Sequence, residues 1–461
     1  MMTVLEAARA LNADWWGENV LFTSVSTDSR TIKHGDLFVA LSGARFDGHQ
    51  FIANAREKGA VAALVEKKAD NGESLSEFCW IQVCDTRLSL GQLSAYWRTR
   101  FSLPLAAVTG SNGKTTVKEM IASIFREAVK TRLDQSDSAS DSVLATLGNL
   151  NNDIGVPQML LRLREQHAYA VIEMGMNHAG EIAYLTRLAK PTVAVITNAG
   201  AAHIEGLGSV EAVARAKGEI FEGLMSDTGV AIINADDEHA SLWRGLAENR
   251  RIIDFGLNNP AQVTAYHQSD SSGDVWILKL PEGSEEMRLQ VPGQHNIYNA
   301  LAAAATAVAI GIDKQTIAAG LQAFSGVQGR MQKKLGLYKA TLIDDTYNAN
   351  PESMRAALAV LANSPGKKVL VLGDMGELGT GAADFHYQIG VEASHAGITE
   401  LLTLGDLSKH TAVGFGSSAR HFTSMDALLV EAEKLLDINV TILVKGSRFM
   451  QMERVIRRLE V

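Results

Sequence analysis

The sequence predicts an α/β protein in three parts: a small N-terminal α/β domain, a central domain with a mainly parallel sheet, and a C-terminal α/β domain. Three observations carry this expectation. The chain has 461 residues, and at roughly 150 residues per domain that implies about three. Short apolar strands alternate with amphipathic helices through most of it, the pattern of a largely parallel sheet. Between one such strand and helix stands the glycine-rich turn "TGSNGKTT", Thr109 to Thr116.

Composition narrows the classes. Hydrophobic residues make up 46% and charged residues 21%, enough to build large cores. Lys and Arg total 43 against 52 Asp and Glu, a net charge of −9. That disfavours a broad basic face for nucleic acid, so anions are expected only at local sites. Cys79 and Cys84 are the two cysteines. They are too few for a disulfide framework and are expected as ordinary buried thiols. No stretch reaches the roughly 18 apolar residues of a membrane span. The alanine-rich run Leu301 to Ile312 reads as a buried helix. Glu6 and Arg9 stand early, without a basic-then-apolar leader, so a cytoplasmic protein is expected.

The first domain is expected over 1–85, with strands at Asp36–Leu41 and Val61–Glu66 and a helix in "HQFIANAREKGA". A helix at Thr86–Phe101 opens the central domain, 86–326. Its strands are expected in "LPLAAVTG" and at Tyr169–Met174, Thr192–Asn198 and Val230–Asp236, with shorter strands from Ala261 to Val291 appended to that sheet. The third domain, 327–461, has expected strands at Ala340–Asp345, Lys367–Gly373, Glu400–Gly405 and Asn439–Gly446. "DQSDSASDS", Asp134 to Ser142, lacks the Gly and terminal Glu of a calcium loop and reads as a solvated loop.

The strand–turn–helix context makes Thr109–Thr116 a phosphate loop. Gly110 and Gly113 let backbone N–H groups approach phosphate oxygens. Lys114 supplies charge, and Thr115 or Thr116 can offer a hydroxyl to Mg²⁺. Val108 stands where the usual form of the motif has its first glycine. Glu173 and His203 fall at the carboxyl ends of successive strands, where ligands bind in open α/β sheets, and both suit Mg²⁺ or Mn²⁺. Lys217 lies in the helical "VARAKGEIF". His295, Asn296 and Asn299 begin the alanine-rich helix. "LIDDTYNANP", Leu342 to Pro351, is a strand end followed by a polar turn, a usual position for a ligand loop.

In order and spacing, "TGSNGKTT", the Glu173 and His203 elements, "AKGEIF", "GQHNIYNALAA" and "DDTYNANP" resemble the Mur ligase family over essentially the whole chain. "TLGNLNNDIGVP", "STDSR" and "GDLFVALSGARFDGH" resemble the member that adds D-alanyl-D-alanine to UDP-N-acetylmuramoyl tripeptide. The resemblance implies an ATP-dependent ligase working through an acyl phosphate, and so a role in peptidoglycan synthesis, cell shape and division. It implies a Rossmann-like C-terminal domain that closes over the site.

By the same resemblance, Gly110, Ser111, Asn112, Gly113, Lys114, Thr115, Thr116, Asn296, Arg330 and Asp345 bind ATP. Thr115, Glu173, His203 and a carbamylated Lys217 serve Mg²⁺. Lys114, Glu173, His203 and Lys217 are the implied catalytic set. Substrate contacts are implied for Ser26, Thr27, Asp28, Ser29, Arg30, Phe38, Arg45 and Phe46, for Asn149, Asn151 and Asn152, and for Tyr347, Asn348, Asn350, Lys445, Ser447 and Arg448. The partners are the two small-molecule substrates, with no nucleic acid and no membrane span, and a monomer is expected. Gln328 in "VQGR" replaces the family's frequent proline. Open alternatives are a sister ligase adding one amino acid, a folylpolyglutamate synthase-like ligase and a noncatalytic nucleotide-binding scaffold. A dinucleotide oxidoreductase rests only on "GDMGELG", which lacks the fingerprint spacing.

Overall fold

The computed structural model describes residues 1–43, 46–66, 78–133, 141–201, 204–225, 227–270 and 273–461. Arg45, His203 and most of the Asp134–Ser142 loop lie outside them.

Three sheets organise the chain. The first has five strands in the order Asp14–Trp16, Cys79–Gln82, Ala62–Val65, Asp36–Val39 and Ser24–Ser26, parallel except for the first pair. The second is wholly parallel: Val143–Ala145, Tyr169–Glu173, Leu105–Thr109, Val193–Ile196, Val230–Asn234 and Arg251–Phe255. The third runs Gln332–Leu335, Thr341–Asp345, Val440–Lys445, Lys367–Gly373, Glu400–Leu404 and Ala419–Phe422, with only the first strand antiparallel.

Leu105–Thr109 is buried along its whole length because both sheet faces are covered, which is why it reads as a continuous apolar run. Ala106 and Val108 face the core shared with the helices Lys114–Leu133 and Gln294–Ile310. Leu105 and Ala107 face the core that includes Trp97 of helix Thr86–Arg98. The alanine-rich helix is indeed buried, from Ala300 to Ala307, and ends at Gly311 with φ +82°.

Two expectations need correction. The strands between Ala261 and Val291 are not appended to the central sheet. Thr264–Asp270, Gly273–Leu280 and Gly283–Met287 pair among themselves as an antiparallel three-stranded sheet, joined to the central one by a single bridge, Phe255 to Val263. Local hairpin pairing outcompetes extension of the parallel edge. Cys79 is buried as expected, but Cys84 is exposed, since it follows the strand end at Gln82. Among the described residues no helix is long and apolar enough to cross a membrane.

The helix that follows the glycine turn is clamped from behind. A Cβ on Gly320 would lie 2.5 Å from the Ile124 Cα, and Ser123 Oγ donates to the Gly320 carbonyl at 2.7 Å. We predict that Gly320→Val destabilises the protein by about 1–3 kcal/mol, since neither backbone can retreat. Thermal unfolding at parental temperature would refute this packing.

Candidate active site

The central strand order reverses around Leu105–Thr109, whose neighbours are Tyr169–Glu173 and Val193–Ile196. The crevice at such a switch point is a natural ligand site. Here it opens into a cleft of about 790 Å³. Its walls bring together Ser111, Asn112, Gly113, Lys114 and Thr116 of the glycine turn, Asn149, Asn151 and Asn152, Glu173, and Asn296. From the C-terminal unit come Arg330, Asp345, Tyr347, Asn348, Asn350, Lys445 and Arg448.

The turn is shaped by its glycines. Gly110 and Gly113 have φ of +154° and +82°. A Cβ on Gly113 would meet Asn299 Oδ1 at 2.3 Å, so no larger residue fits there. Lys114 Nζ folds back to donate to the carbonyls of Gly110 (2.6 Å) and Ser111 (3.3 Å). Burial lowers its pKa, opposed by the charge of Glu173.

Thr115 Oγ1 donates to Glu173 Oε2 at 2.9 Å and accepts from Arg330 at 2.9 Å. Asn151 Nδ2 donates to Glu173 Oε1 at 2.8 Å, and the Glu173 N–H donates to Thr146 Oγ1 at 2.9 Å. The Arg330 guanidinium lies 4.2 Å from the Tyr347 ring centroid, a cation–π contact. Arg330 Nε is buried with no acceptor among the described residues. An unspent N–H on a cation beside a phosphate loop is a feature an anionic ligand would satisfy.

Lys217 is 1% exposed. Among the described residues its side-chain nitrogen has no hydrogen-bond or ion-pair partner. Burial pushes its pKa well down, and the charge of Lys114 pushes it further. The amine is therefore held toward its neutral form.

The C-terminal unit reaches the glycine turn directly. Asn350 caps the helix Pro351–Ala362 through a capping box with Ser353. The same side chain donates from Nδ2 to Asn112 Oδ1 at 2.8 Å. Asn112 Nδ2 in turn donates to Glu352 Oε2 at 3.0 Å, and the Ala201 N–H donates to Glu352 Oε1 at 2.9 Å. Asp345 accepts from Lys445 Nζ at 2.6 Å and from the Met331 N–H at 3.2 Å.

Several expected residues lie elsewhere. Phe38 is 2% exposed and packs with Ile52, Ala55 and Trp80. Its expected substrate contact does not fit that burial: the side chain fills the N-terminal core. Phe46 is exposed. Ser26 to Arg30 form a local turn in which Arg30 holds the Asp28 carboxyl down to about 2. Thr27 Oγ1 accepts from Gln158 Nε2 at 2.6 Å, tying this turn to the helix Gly155–Leu160 beyond the asparagine loop. Ser447 accepts from the Gly376 N–H at 2.8 Å, beside the cleft.

Sequence reasoning missed Glu352, Asp236 and Tyr298. Glu352 stands in a first helical turn after a Pro, a detectable position for a carboxylate. Asp236 lies just past a strand end. Its carboxylate accepts the N–H groups of Leu257, Asn258 and Asn259 and the Tyr298 hydroxyl, an arrangement that only the fold assembles.

The description "Mur ligase middle domain" matches residues 108–307, "Mur ligase, glutamate ligase domain" matches 329–448, and "Mur ligase family, catalytic domain" matches 21–98. The UDP-N-acetylmuramoyl-tripeptide--D-alanyl-D-alanine ligase of Escherichia coli K12 is 42% identical, covering 100% of this chain and 98% of that protein. The enzyme of the same name from Bacillus subtilis is 34% identical over 96% and 94%. A crystal structure of MurF from Acinetobacter baumannii matches with TM-score 0.89 and 37% identity, over 99% and 98% of the two chains. The MurF ligase from Thermotoga maritima, solved in complex with ADP, shares the fold at TM-score 0.80 and 24% identity over 96% and 98%. With its three consecutive domain matches and full-length relatives, the chain belongs to the Mur ligase family.

Proposed function

We propose that the cleft joins D-alanyl-D-alanine to UDP-N-acetylmuramoyl tripeptide at the expense of ATP. The carrying observation is full-length likeness to ligases of that name, on a chain whose glycine turn, Glu173 and Arg330 meet at one hydroxyl. The product is the pentapeptide precursor of peptidoglycan.

A carboxylate is a poor electrophile because oxide is a poor leaving group. In the first step a terminal carboxylate oxygen of the tripeptide attacks the γ-phosphorus, and the bond to ADP breaks. In the second, the dipeptide amine forms the C–N bond. The acyl C–O bond then breaks, phosphate leaves with the electron pair, and the amine gives up its proton. Both reactants of the first step are anions. Lys114 and Arg330, facing the cleft, offset their repulsion. The adenosine end falls to Asn296 and Asp345, and the phosphates to Gly110 through Thr116.

The residues fit Mg²⁺. Thr115 and Glu173 present oxygen atoms 2.9 Å apart, the donor type this ion prefers. Thr115, Glu173, His203 and Lys217 as its carbamate would hold it. When bound, Mg²⁺ neutralises charge on the phosphate oxygens. A buried amine kept neutral is the form of lysine that attacks CO₂; the N–C bond forms, the nitrogen loses a proton to solvent, and the carbamate carries −1 where a protonated lysine would carry +1.

Residues 1–85 hold the UDP-linked substrate in this reading, with Ser26 to Arg30 and Phe46 on that side. Residues 86–326 hold ATP, and 327–461 close over the site and carry Tyr347, Asn348, Asn350, Lys445, Ser447 and Arg448 to the peptides. The protein acts as a cytoplasmic monomer.

Phosphate release measured with ATP, D-alanyl-D-alanine and UDP-linked tripeptides, each in turn omitted, tests the reading. Release that ignores the dipeptide would sink it. Lys114→Ala should lower ligation at least about 100- to 1,000-fold with unfolding unchanged; near-parental turnover would remove the phosphate-loop role. Lys217→Ala should be nearly inactive and be partly restored by formate or acetate, which can occupy the vacated anion position. Lys217→Arg should not be restored, because its guanidinium keeps the wrong charge and fills the space. An Ala variant as active as the parent refutes the metal role.

A further inference from the structure

Asn112 stands within the glycine turn, yet its polar groups are already engaged by the protein. Its N–H donates to Asn198 Oδ1 at 2.9 Å, and its carbonyl accepts from Thr197 Oγ1 at 2.6 Å and from Asn198 Nδ2 at 3.2 Å. Its side chain is taken by the C-terminal unit: Oδ1 accepts from Asn350 Nδ2 and Nδ2 donates to Glu352 Oε2. One amide hydrogen is left over. Arg330 is the contrast in the same cleft, for its Nε has no acceptor among the described residues.

Glu352 meets two loops of the central unit at once, Asn112 through Oε2 and the Ala201 N–H through Oε1. The second loop is shaped to admit it: a Cβ on Gly200 would lie 1.8 Å from Oε2 and 2.1 Å from Oε1. Gly200 is in turn fastened to the glycine turn, its N–H donating to Ser111 Oγ at 2.9 Å. Among the described residues no lysine or arginine is paired with Glu352; its two partners are these N–H donors. Burial pushes its carboxyl pKa up, and the Ala201 N–H draws it down. Two carboxylate oxygens facing two donors are a match that an amide of the same length cannot make, since its NH₂ would face one of them. Asn350 cannot turn over to compensate, because its Oδ1 accepts the Ser353 N–H at 2.9 Å.

We infer that Glu352 and the Asn112 side chain form a strut through which the C-terminal unit sets the glycine turn. Both are positioning residues for phosphoryl transfer, and the Asn112 side chain is not itself a nucleotide contact. The inference rests on the ligase reading above. Arg330 and Asp345 stand on the C-terminal side of this seam and Lys114 on the other. The strut therefore fixes the spacing of groups that must act together on one nucleotide. A displacement of about 1 Å in such a set can cost on the order of 100-fold in rate.

Exchanging polarity across the contact tests the strut. Glu352→Gln sets an NH₂ against a donor, and Asn112→Asp sets a carboxylate against a carboxylate. Each alone should lower kcat for ligation about 10- to 100-fold. Combined, the two changes restore every bond: the new carboxylate accepts from Asn350 and from the new amide, whose oxygen accepts the Ala201 N–H. The combined variant should recover most of the lost activity, as contacting partners do in a double-mutant cycle. Calorimetric ADP affinity, which a mere loss of folded protein does not change, should weaken in each single variant and return in the pair. A direct contact of the Asn112 side chain with phosphate gives the reverse. The pair, which keeps a carboxylate beside the phosphates, then stays as impaired as Asn112→Asp, and Glu352→Gln keeps parental activity and affinity. Either result overturns the strut. A parent that releases phosphate without regard to the dipeptide defeats the ligase reading instead, and ADP affinity alone then decides the strut.

Discussion

The Thr115 hydroxyl is the point on which the cleft depends. It donates a hydrogen bond to Glu173 and accepts one from Arg330, each at 2.9 Å. Thr115 belongs to the helix of the phosphate loop, Glu173 to the next strand of the same sheet, and Arg330 to the start of the C-terminal unit. One side chain therefore registers three elements against each other. Glu173 is itself fixed from two further directions, by Thr146 at its backbone and Asn151 at its carboxylate. A carboxylate so held cannot swing away from the site, and a guanidinium stacked on Tyr347 cannot either.

The buried lysines near this point meet the cost of burying charge in different ways. Lys445 is paired with Asp345. Lys118, 1% exposed, donates to the Thr146 carbonyl at 2.8 Å and to neighbouring Glu119. Lys114 leans on the carbonyls of its own loop. Lys217 alone of these four has neither partner type among the described residues, and burial pushes its pKa well down. Pairing, carbonyl solvation and neutralisation are the solutions available to a buried amine. The one that neutralises is the one suited to chemistry on nitrogen.

Much of this was legible in the sequence, for physical reasons that can be named. The glycine turn announces itself because Gly110 and Gly113 are required by positive φ and by a side chain 2.3 Å from a would-be Cβ. Parallel strands buried on both faces read as apolar runs, and those runs located nearly every strand that borders the cleft. Antiparallel strands at 264–287 were also visible, but their partner was not, because alternation encodes a face and not a neighbour. Phe38 lies within a wholly buried strand, Asp36–Val39, where packing is a simpler role than the substrate contact that the resemblance implies.

The C-terminal unit meets the phosphate loop through polar contacts, Arg330 to Thr115, Asn350 to Asn112 and Glu352 to Asn112, and Glu352 also meets the neighbouring Ala201 N–H. Water can replace each of these partners at modest cost, since a hydrogen bond within the protein gains only about 0.5–1.5 kcal/mol over one to water, or about 1.5–3 kcal/mol where a charged group such as Arg330 or Glu352 takes part. The helix cap on Asn350 is satisfied within its own unit and survives separation. A seam of this kind can part and re-form without baring an oily surface. Were the two units to part there, they would carry little risk of sticking to other proteins, a hazard that an apolar seam at the same place would bring.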